Sequence, residues 1–443
     1  MRILTTEVTG AGRGCLVCQT YHQGRQTLGR DVAIVGAGVS NFGAFPEKNS
    51  RELFAEAFKD LLASVDNGVQ LIDVDALYVG NMIGEFCEGQ SHMGAILADT
   101  LGLVPKPATR IEGACASSSM ALREGILSIA SGWYDIVLVG GVEKMTNMST
   151  EQATDALASG MDVEYEIPAG LTFPGIYAAM ASVYIEKYGA TTEQFMKVAI
   201  KNHENGSLNP KAHFNCSIKD ILDKRIRRSQ ERGNPLPDWK DELDFLHDDR
   251  ENPIIAWPLR LFDCSPITDG ASCLLLVAGE KARSFTAAPI YIIGSGQASD
   301  YPLYVRKNLT SLGATKAAAR EAYATAGGVS PKDVQIAEVH DCFTIAEIIA
   351  IEDLGFFSPG EGVSASDEGE TALGGAKPIN TSGGLKAKGH PVGATGTAQV
   401  VEIWHQMRGT AGDRQVPTEI NLALTHNAGG SGCTCLVHIF ERR

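Results

Sequence analysis

Residues 32–38 read Val-Ala-Ile-Val-Gly-Ala-Gly, and residues 290–296 read Ile-Tyr-Ile-Ile-Gly-Ser-Gly. Each is an apolar run of strand length closed by Gly-x-Gly. The segments downstream of them also match. After the first, Asn49 and Glu52 have the spacing of a capping box. Leu53, Phe54, Ala57, Phe58, Leu61, Leu62 and Val65 then form the apolar stripe of a helix that Asn67-Gly68 stops. After the second, an Ala-rich helix runs to Gly327-Gly328. Gly38 to Gly68 covers 30 residues and Gly296 to Gly328 covers 32. A strand comes next in each case, Ala76–Val79 and Val334–Val339. Each copy then has a small-residue turn (Gly113–Ser119; Gly389–Gly396), a long helix (to about Ala130; to about Met407) and an apolar strand (Ile136–Gly140; Ile420–Leu424). The order describes a duplicated α/β unit.

The repeat sets the expected domains. One half takes 31–150 with 256–288, and the other takes 289–443. Residues 151–255, poorer in strand signals, are an inserted loop domain, with 216–256 looking lengthened. Residues 1–30, with four Arg and one acidic residue, read as an extension.

Composition limits the function. The chain has 443 residues, 44% apolar and 21% charged, which suits folded globular domains and excludes low-complexity or disordered classes. No apolar run approaches the roughly 20 residues that cross a bilayer. A net charge of -15 argues against a dedicated nucleic-acid binder. Ten cysteines without a framework, and no secretory signal, predict a reducing cytoplasmic location. Cys15-Leu-Val-Cys18 has half the spacing of a zinc knuckle, but no second Cys-x-x-Cys exists and Cys433-Thr-Cys435 does not supply one. No metal is expected.

Four stretches carry chemistry. In Glu112-Gly-Ala-Cys115-Ala-Ser-Ser-Ser, a cysteine sits at a strand-to-helix turn among small residues. A helix N-terminus there favours the thiolate, the reactive form; the plain alternative is a buried cysteine packing as a small hydrophobe. Glu338-Val-His340-Asp341-Cys342-Phe343 ends a strand before an apolar helix. Asn380 to Gly396 is a glycine-rich loop holding Gly389-His390-Pro391. Asn427-Ala-Gly-Gly-Ser-Gly432 offers backbone N–H groups for an oxyanion hole. These residues fall at strand ends and helix starts in corresponding places of the two copies, where open α/β sheets put their sites. Between the copies, Lys219, Lys224, Arg225, Arg227, Arg228 and Arg232 make a basic stretch suited to a polyanionic ligand or to a solvated face.

Taken together, Gly-Ala-Cys115-Ala-Ser, His340-Asp-Cys342-Phe, Gly389-His390-Pro and Asn427-Ala-Gly-Gly-Ser-Gly resemble the thiolase superfamily, over essentially residues 31–443. The resemblance implies an α/β fold of two βαβαβαββ halves in five αβαβα layers, with a loop domain that receives coenzyme A. The Cys-x-Gly run of the common thiolases is missing, its place taken by Gly429. The His-Asp-Cys-Phe form is instead similar to thiolases of sterol-carrier-protein type and their archaeal and bacterial relatives. That implies Cys115 as the nucleophile that forms an acyl-enzyme, His390 as its base, and Cys342 as acid/base at the α-carbon. His340 contributes to one oxyanion hole, and the N–H groups of Cys115 and Ser431 form another. Lys224, Arg225 and Arg228 are candidate contacts for CoA phosphates. CoA and acyl-CoA enter as substrates, with no permanently bound cofactor.

The implied reaction is reversible CoA-dependent cleavage of a 3-oxoacyl-CoA, or Claisen condensation of two acyl-CoAs. The substrate is acetoacetyl-CoA or a bulkier, aromatic compound such as a benzoylsuccinyl-CoA. A homodimer or tetramer is implied, and a small OB-fold/zinc-ribbon protein as partner. Three rivals stand beside this reading. A nucleotide-binding oxidoreductase lacks the third fingerprint glycine, since Asn41 stands there. A β-ketoacyl synthase shares the fold but uses Cys-His-His or Cys-His-Asn. A lipid carrier or scaffold on the same fold would not need Cys115, Cys342 and His390.

Overall fold

The computed structural model describes residues 28–443. The expectations for Cys15, Cys18 and most of the 1–30 extension lie outside the described residues. The last residues of that stretch already belong to the fold. Leu28 packs on the core, and the Arg30 guanidinium pairs with Asp135 at 2.8 Å and with Glu280.

The first half runs β1 (Val32–Val39), α1 (Ser50–Ser64), β2 (Ala76–Gly80), α2 (Met93–Thr100), β3 (Ala108–Ile111), α3 (Ser117–Ala130) and β4 (Ile136–Glu143). Helices α4 (Phe173–Tyr188), α5 (Thr192–Ser207) and α6 (Ile218–Glu231) follow, before β5 (Gly270–Ala278) closes the half. The second half runs β6 (Ile290–Ser299), α7 (Gly313–Thr325), β7 (Ile336–Glu338), α8 (Thr344–Asp353), α9 (Thr395–Arg408), β8 (Leu422–Gly429) and β9 (Thr434–Arg442).

The strands form one nine-stranded sheet in the order β3-β2-β4-β5-β1-β6-β9-β8-β7. Its middle is the antiparallel pair β1–β6, and the two halves read outward from there as copies. In both, the second and third strands from the middle (β5 and β4; β9 and β8) pair antiparallel, and the next pairing (β4–β2; β8–β7) is parallel. A single parallel bridge from Ala337 to Ile379 stands where β3 stands in the first half.

Alternation along the strands builds the layers, because successive side chains point to opposite faces. Ala33 and Val35 join α1 and α2 in an outer core, while Val32 and Ile34 join α3 and α9 in a central one. In the second half Leu424 and Ile439 face α7, whereas Ala423 and Phe440 face the centre. The result is outer helices, half-sheet, central helices, half-sheet, outer helices. The central helix α9 is buried almost all round, as a helix in the middle layer must be.

The Gly-x-Gly pairs do not end the strands as expected. They lie inside β1 and β6, because there the outer helices come down onto the sheet. A Cβ on Gly38 would stand 2.2 Å from the carbonyl oxygen of Ala57 in α1, and one on Gly296 would stand 1.9 Å from that of Ala318 in α7. The capping box of Asn49 and Glu52 forms as read, and Leu53, Phe54, Ala57, Phe58 and Leu61 are buried. Leu62 is exposed, since it lies about 100° round the helix from Leu61. Among the described residues no helix is long and apolar enough to cross a membrane.

Candidate active site

Cys115 sits in a single 3₁₀ turn, Ala114–Ala116, between β3 and α3. Ala114 has φ +52°, a left-handed conformation that a residue with a Cβ rarely adopts. Local bonds hold it there. Glu112 Oε1 accepts from the Ala114 N–H at 2.6 Å, and Ser117 Oγ accepts from the Gly113 N–H at 3.1 Å while donating to the Ala114 carbonyl at 2.6 Å. The strained turn presents the sulfur at the end of the sheet, as the small residues around it suggested.

His340 and Cys342 follow β7 directly. Between them Asp341 points the other way, into a buried network. It accepts from Asn202 Nδ2 at 2.8 Å and from the Leu385 N–H at 2.7 Å, which ties α5 and the glycine-rich loop to this strand end. With Asp341 held inward, its two neighbours are directed at the site. Asn427 on β8 bonds His340 Nδ1 at 2.9 Å, leaving Nε2 without a partner.

His390 lies on the loop before α9. Its Nδ1 is 2.7 Å from the Thr395 hydroxyl, which in turn donates to the Pro391 carbonyl at 3.1 Å, and again Nε2 is left over. The Thr395 hydroxyl thus donates to Pro391 and accepts from Nδ1–H, so the tautomer has its lone pair on Nε2. Glu143, buried at the end of β4, fixes the loop by accepting from the Gly393 N–H at 3.0 Å.

These strand ends bring one sulfur and two imidazoles together. The Cys115 sulfur and a ring nitrogen of each of His340 and His390 lie within 4.8 Å of one another, and the two rings meet edge to face at 5.2 Å. We read the trio as a nucleophile with imidazoles rather than as metal ligands. The groups behind the imidazoles are an amide and a hydroxyl, not the carboxylates that often orient ligating histidines. Cys342 is buried in the cluster that includes Phe343, Tyr177 and Ala428.

Burial governs the electrostatics. It holds the His390 imidazole down to about 3, with the Lys388 charge adding to the effect, and lowers His340 well below the usual range. Both rings are therefore neutral near pH 7, and a neutral imidazole is what can accept a proton. Burial also pushes the Cys115 thiol up to about 12, against backbone hydrogen bonds from Gly430 and from Cys115 itself. The helix-terminal placement does not keep a resting thiolate, as the sequence had suggested, because desolvation outweighs the amides. The thiol needs a base, and His390 Nε2 is free to be one. Cys342 is likewise raised by burial and by the Cys115 sulfur.

The backbone amide that counters the rise of the Cys115 thiol is that of Gly430, next to the expected Ser431. Ser431 is buried beside it, and its carbonyl is held by Arg306 at 2.8 Å. Lys224, Arg225 and Arg228 lie on α6, apart from the cysteine cluster. Arg225 pairs with Glu251 at 2.9 Å. Arg225 and Arg228 line a cavity of about 560 Å³ with Arg232, Arg250 and Trp239, but Lys224 is not on its wall. Sequence reading missed Arg250, Thr395 and Arg306. Arg250 and Arg306 had only their charge to mark them.

Fold and cluster together define an α/β protein of duplicated halves, with a buried cysteine and two imidazoles gathered at its strand ends. Residues 32–280 match the family model described as Thiolase, N-terminal domain, and residues 296–442 match Thiolase C-terminal domain-like; the chain belongs to the thiolase family. It is an acyltransferase of the thiolase class. An acetyl-CoA acetyltransferase of Methanothermobacter thermautotrophicus is 43% identical, over 93% of this chain and 100% of that protein. Human sterol carrier protein 2 is 30% identical, over 91% of this chain and 70% of that protein. Both agree with the sterol-carrier-type and archaeal-type resemblance. The solved structure of an Ltp2-ChsH2(DUF35) aldolase matches 93% of this chain and 98% of that one, with a TM-score of 0.74 at 24% identity.

Proposed function

We propose that this thiolase interconverts acetoacetyl-CoA plus CoA with two molecules of acetyl-CoA, through an acyl-enzyme on Cys115. The observation that carries the reading is the convergence of the Cys115 sulfur with the two imidazoles, each ring keeping one nitrogen without a partner. The archaeal acetyl-CoA acetyltransferase at 43% identity supports the short acyl group.

In this reading His390 Nε2 takes the thiol proton as the sulfur attacks the thioester carbonyl, so one difficult transfer becomes two easier ones. The developing oxyanion is met by backbone N–H groups of Cys115 and of the Gly430–Ser431 turn. Cys342 then moves the proton at the α-carbon of the second acyl-CoA, with the His340 Nε2–H stabilising the enolate oxygen. That tautomer follows if the Asn427 side-chain amide donates to Nδ1. The arginine-lined cavity beside α6 binds CoA phosphates, with Arg225 and Arg228 as contacts. A cytoplasmic homodimer or tetramer, working with a small OB-fold/zinc-ribbon protein, completes the reading. The pairing of Ltp2 with a DUF35 protein in that aldolase supports the partner.

Steady-state kinetics test it. CoA-dependent cleavage of acetoacetyl-CoA with ping-pong rate patterns is expected. Faster cleavage of an aromatic 3-oxoacyl-CoA would move the substrate to the bulkier class. No cleavage of any 3-oxoacyl-CoA, with the partner supplied, would favour a scaffold or lipid carrier.

A further inference from the structure

Arg306 stands on the segment that joins β6 to α7, and its side chain is only 4% exposed. A buried cation ordinarily pairs with a carboxylate, but this one sets its fork on two backbone carbonyls. Nη1 donates to the Ser431 carbonyl at 2.8 Å and Nη2 to the Tyr301 carbonyl at 2.9 Å. Nε has no hydrogen-bond partner among the described residues, and the Asp300 carboxylate stands 3.8 Å from it. The segment is pinned on both sides of the guanidinium. The Asp300 N–H donates to the Cys433 carbonyl at 2.8 Å, and the Leu303 N–H donates to the buried Glu166 at 2.7 Å. Arg306 is thus fixed against the turn Gly429–Gly432 at the end of β8.

We propose that Arg306 is a positioning residue for the oxyanion turn, its grip on the Ser431 carbonyl keeping the Gly430 N–H aimed at the acyl oxygen on Cys115. The inference rests on the thiolase reading and assigns a part of that site. The peptides of the turn carry the effect, because in a trans peptide the C=O and the N–H point opposite ways. With the Ser431 oxygen drawn outward by Arg306, the Gly432 N–H points into the turn and donates to the Gly429 carbonyl at 3.1 Å. With the Gly429 oxygen held inward, the Gly430 N–H points out of the turn. The turn itself lies on that of the nucleophile: a Cβ on Gly429 would stand 2.2 Å from the Gly113 carbonyl oxygen and 3.3 Å from the Ala116 Cβ. The Gly430 amide that counters the rise of the Cys115 thiol agrees with this direction.

Such a clamp is needed because the turn cannot hold itself. Gly430 has φ +61° and Gly432 has φ +82°, conformations that glycine adopts freely and also leaves freely. During acylation the Cys115 proton passes to His390 Nε2, the sulfur bonds the acetyl carbonyl carbon, and negative charge gathers on the carbonyl oxygen. The C–S bond to CoA then breaks, and the CoA sulfur takes the proton from His390. A donor lowers that barrier only when it is already aimed at the oxygen. A buried cation at the far end of the turn also polarises the peptides between, which strengthens the last N–H as a donor.

Arg306→Met keeps most of the side-chain volume and removes the donors. Acetyl-CoA labelled with ¹³C at its carbonyl is the probe, and two quantities are read in the whole enzyme. One is the single-turnover rate of CoA release. The other is the infrared band of the acetyl carbonyl on Cys115, which falls as donors tighten on the oxygen. We expect release about 10- to 100-fold slower, the band at higher wavenumber, and the Kd for CoA within about twofold of wild type. Arg306→Lys reaches one carbonyl at a time, so about three- to tenfold slower release and a smaller upward move are expected. Wild-type rate and band in Arg306→Met, or in Arg306→Lys where the methionine variant does not fold, overturn the proposal. So does slower release with the band unmoved, which a loosened fold would give. A wild-type enzyme that takes up no acetyl group would instead overturn the thiolase reading.

Discussion

The two halves share a frame and divide the chemistry. Gly38 against Ala57 and Gly296 against Ala318 show the same close approach of helix to strand, and the strand orders mirror each other about β1–β6. The turns that lead into the central helices differ. The one before α3 is a tight 3₁₀ turn that carries Cys115, while the one before α9 is a longer glycine-rich loop that carries His390. After β2 the first half places Asn81, Met82 and Ile83, which bind the Glu143 carboxylate; after β7 the second half places His340 and Cys342. In the proposed mechanism one copy thus supplies the nucleophile, together with a buried carboxylate that braces the other copy's loop. In the same proposal the other supplies the groups that move protons. Backbone packing is what the copies hold in common, and side chains at strand ends are where they part.

That division can be broken from its strongest side first. Cys115→Ala should lower turnover by about 10⁴-fold or more, because the acyl-enzyme cannot form and only binding remains. Initial rates of acetoacetyl-CoA cleavage measure it. The pH dependence of alkylation comes next. With the thiol pushed up to about 12, Cys115 is protonated throughout the working range, and its thiolate fraction rises about tenfold per pH unit. Iodoacetamide labelling of Cys115 should therefore climb without a plateau from pH 6 to 9. A plateau near neutrality would mean that an imidazole already holds the proton at rest.

His390→Asn should slow acylation by about 10²- to 10³-fold, the span expected for loss of a positioned base. Stopped-flow release of the first product follows it. Gly38→Ala and Gly296→Ala probe the shared frame. Each drives a Cβ into a carbonyl oxygen, and each should cost about 1–3 kcal/mol in urea unfolding. If only one destabilises, the helix-on-strand packing of the two copies is not equivalent. The smallest effect belongs to the segment between the halves. Arg228→Ala should raise the KM for CoA about two- to fivefold, more at low salt, with kcat unchanged.

Much of this was legible in the sequence, for reasons that particular residues show. Gly-x-Gly runs repeated with matching intervals reveal a duplication because close packing permits few residues at those points. The meeting of Cys115, His340 and His390 was legible because each falls at a strand end or among small residues. Their charge states were not. A helix N-terminus suggested a thiolate, whereas burial of the whole cluster decides the matter, and burial is a property of the assembled halves. Arg306 was hidden for a similar reason, since only the fold carries its guanidinium onto the Ser431 carbonyl. Lys224 was grouped with Arg225 and Arg228 as a candidate contact for CoA phosphates because all three fall in one basic stretch, but not every face of α6 lines the cavity.

The central claim is that Cys115 carries the acyl group while the second half's cysteine moves protons. Intact-mass spectrometry with peptide mapping, after brief exposure to acetyl-CoA, tests it most directly. The account predicts one acetyl group on Cys115, absent in Cys115→Ala and retained in Cys342→Ala. An acetyl group on Cys342, or no adduct under turnover conditions with the partner protein supplied, would contradict it.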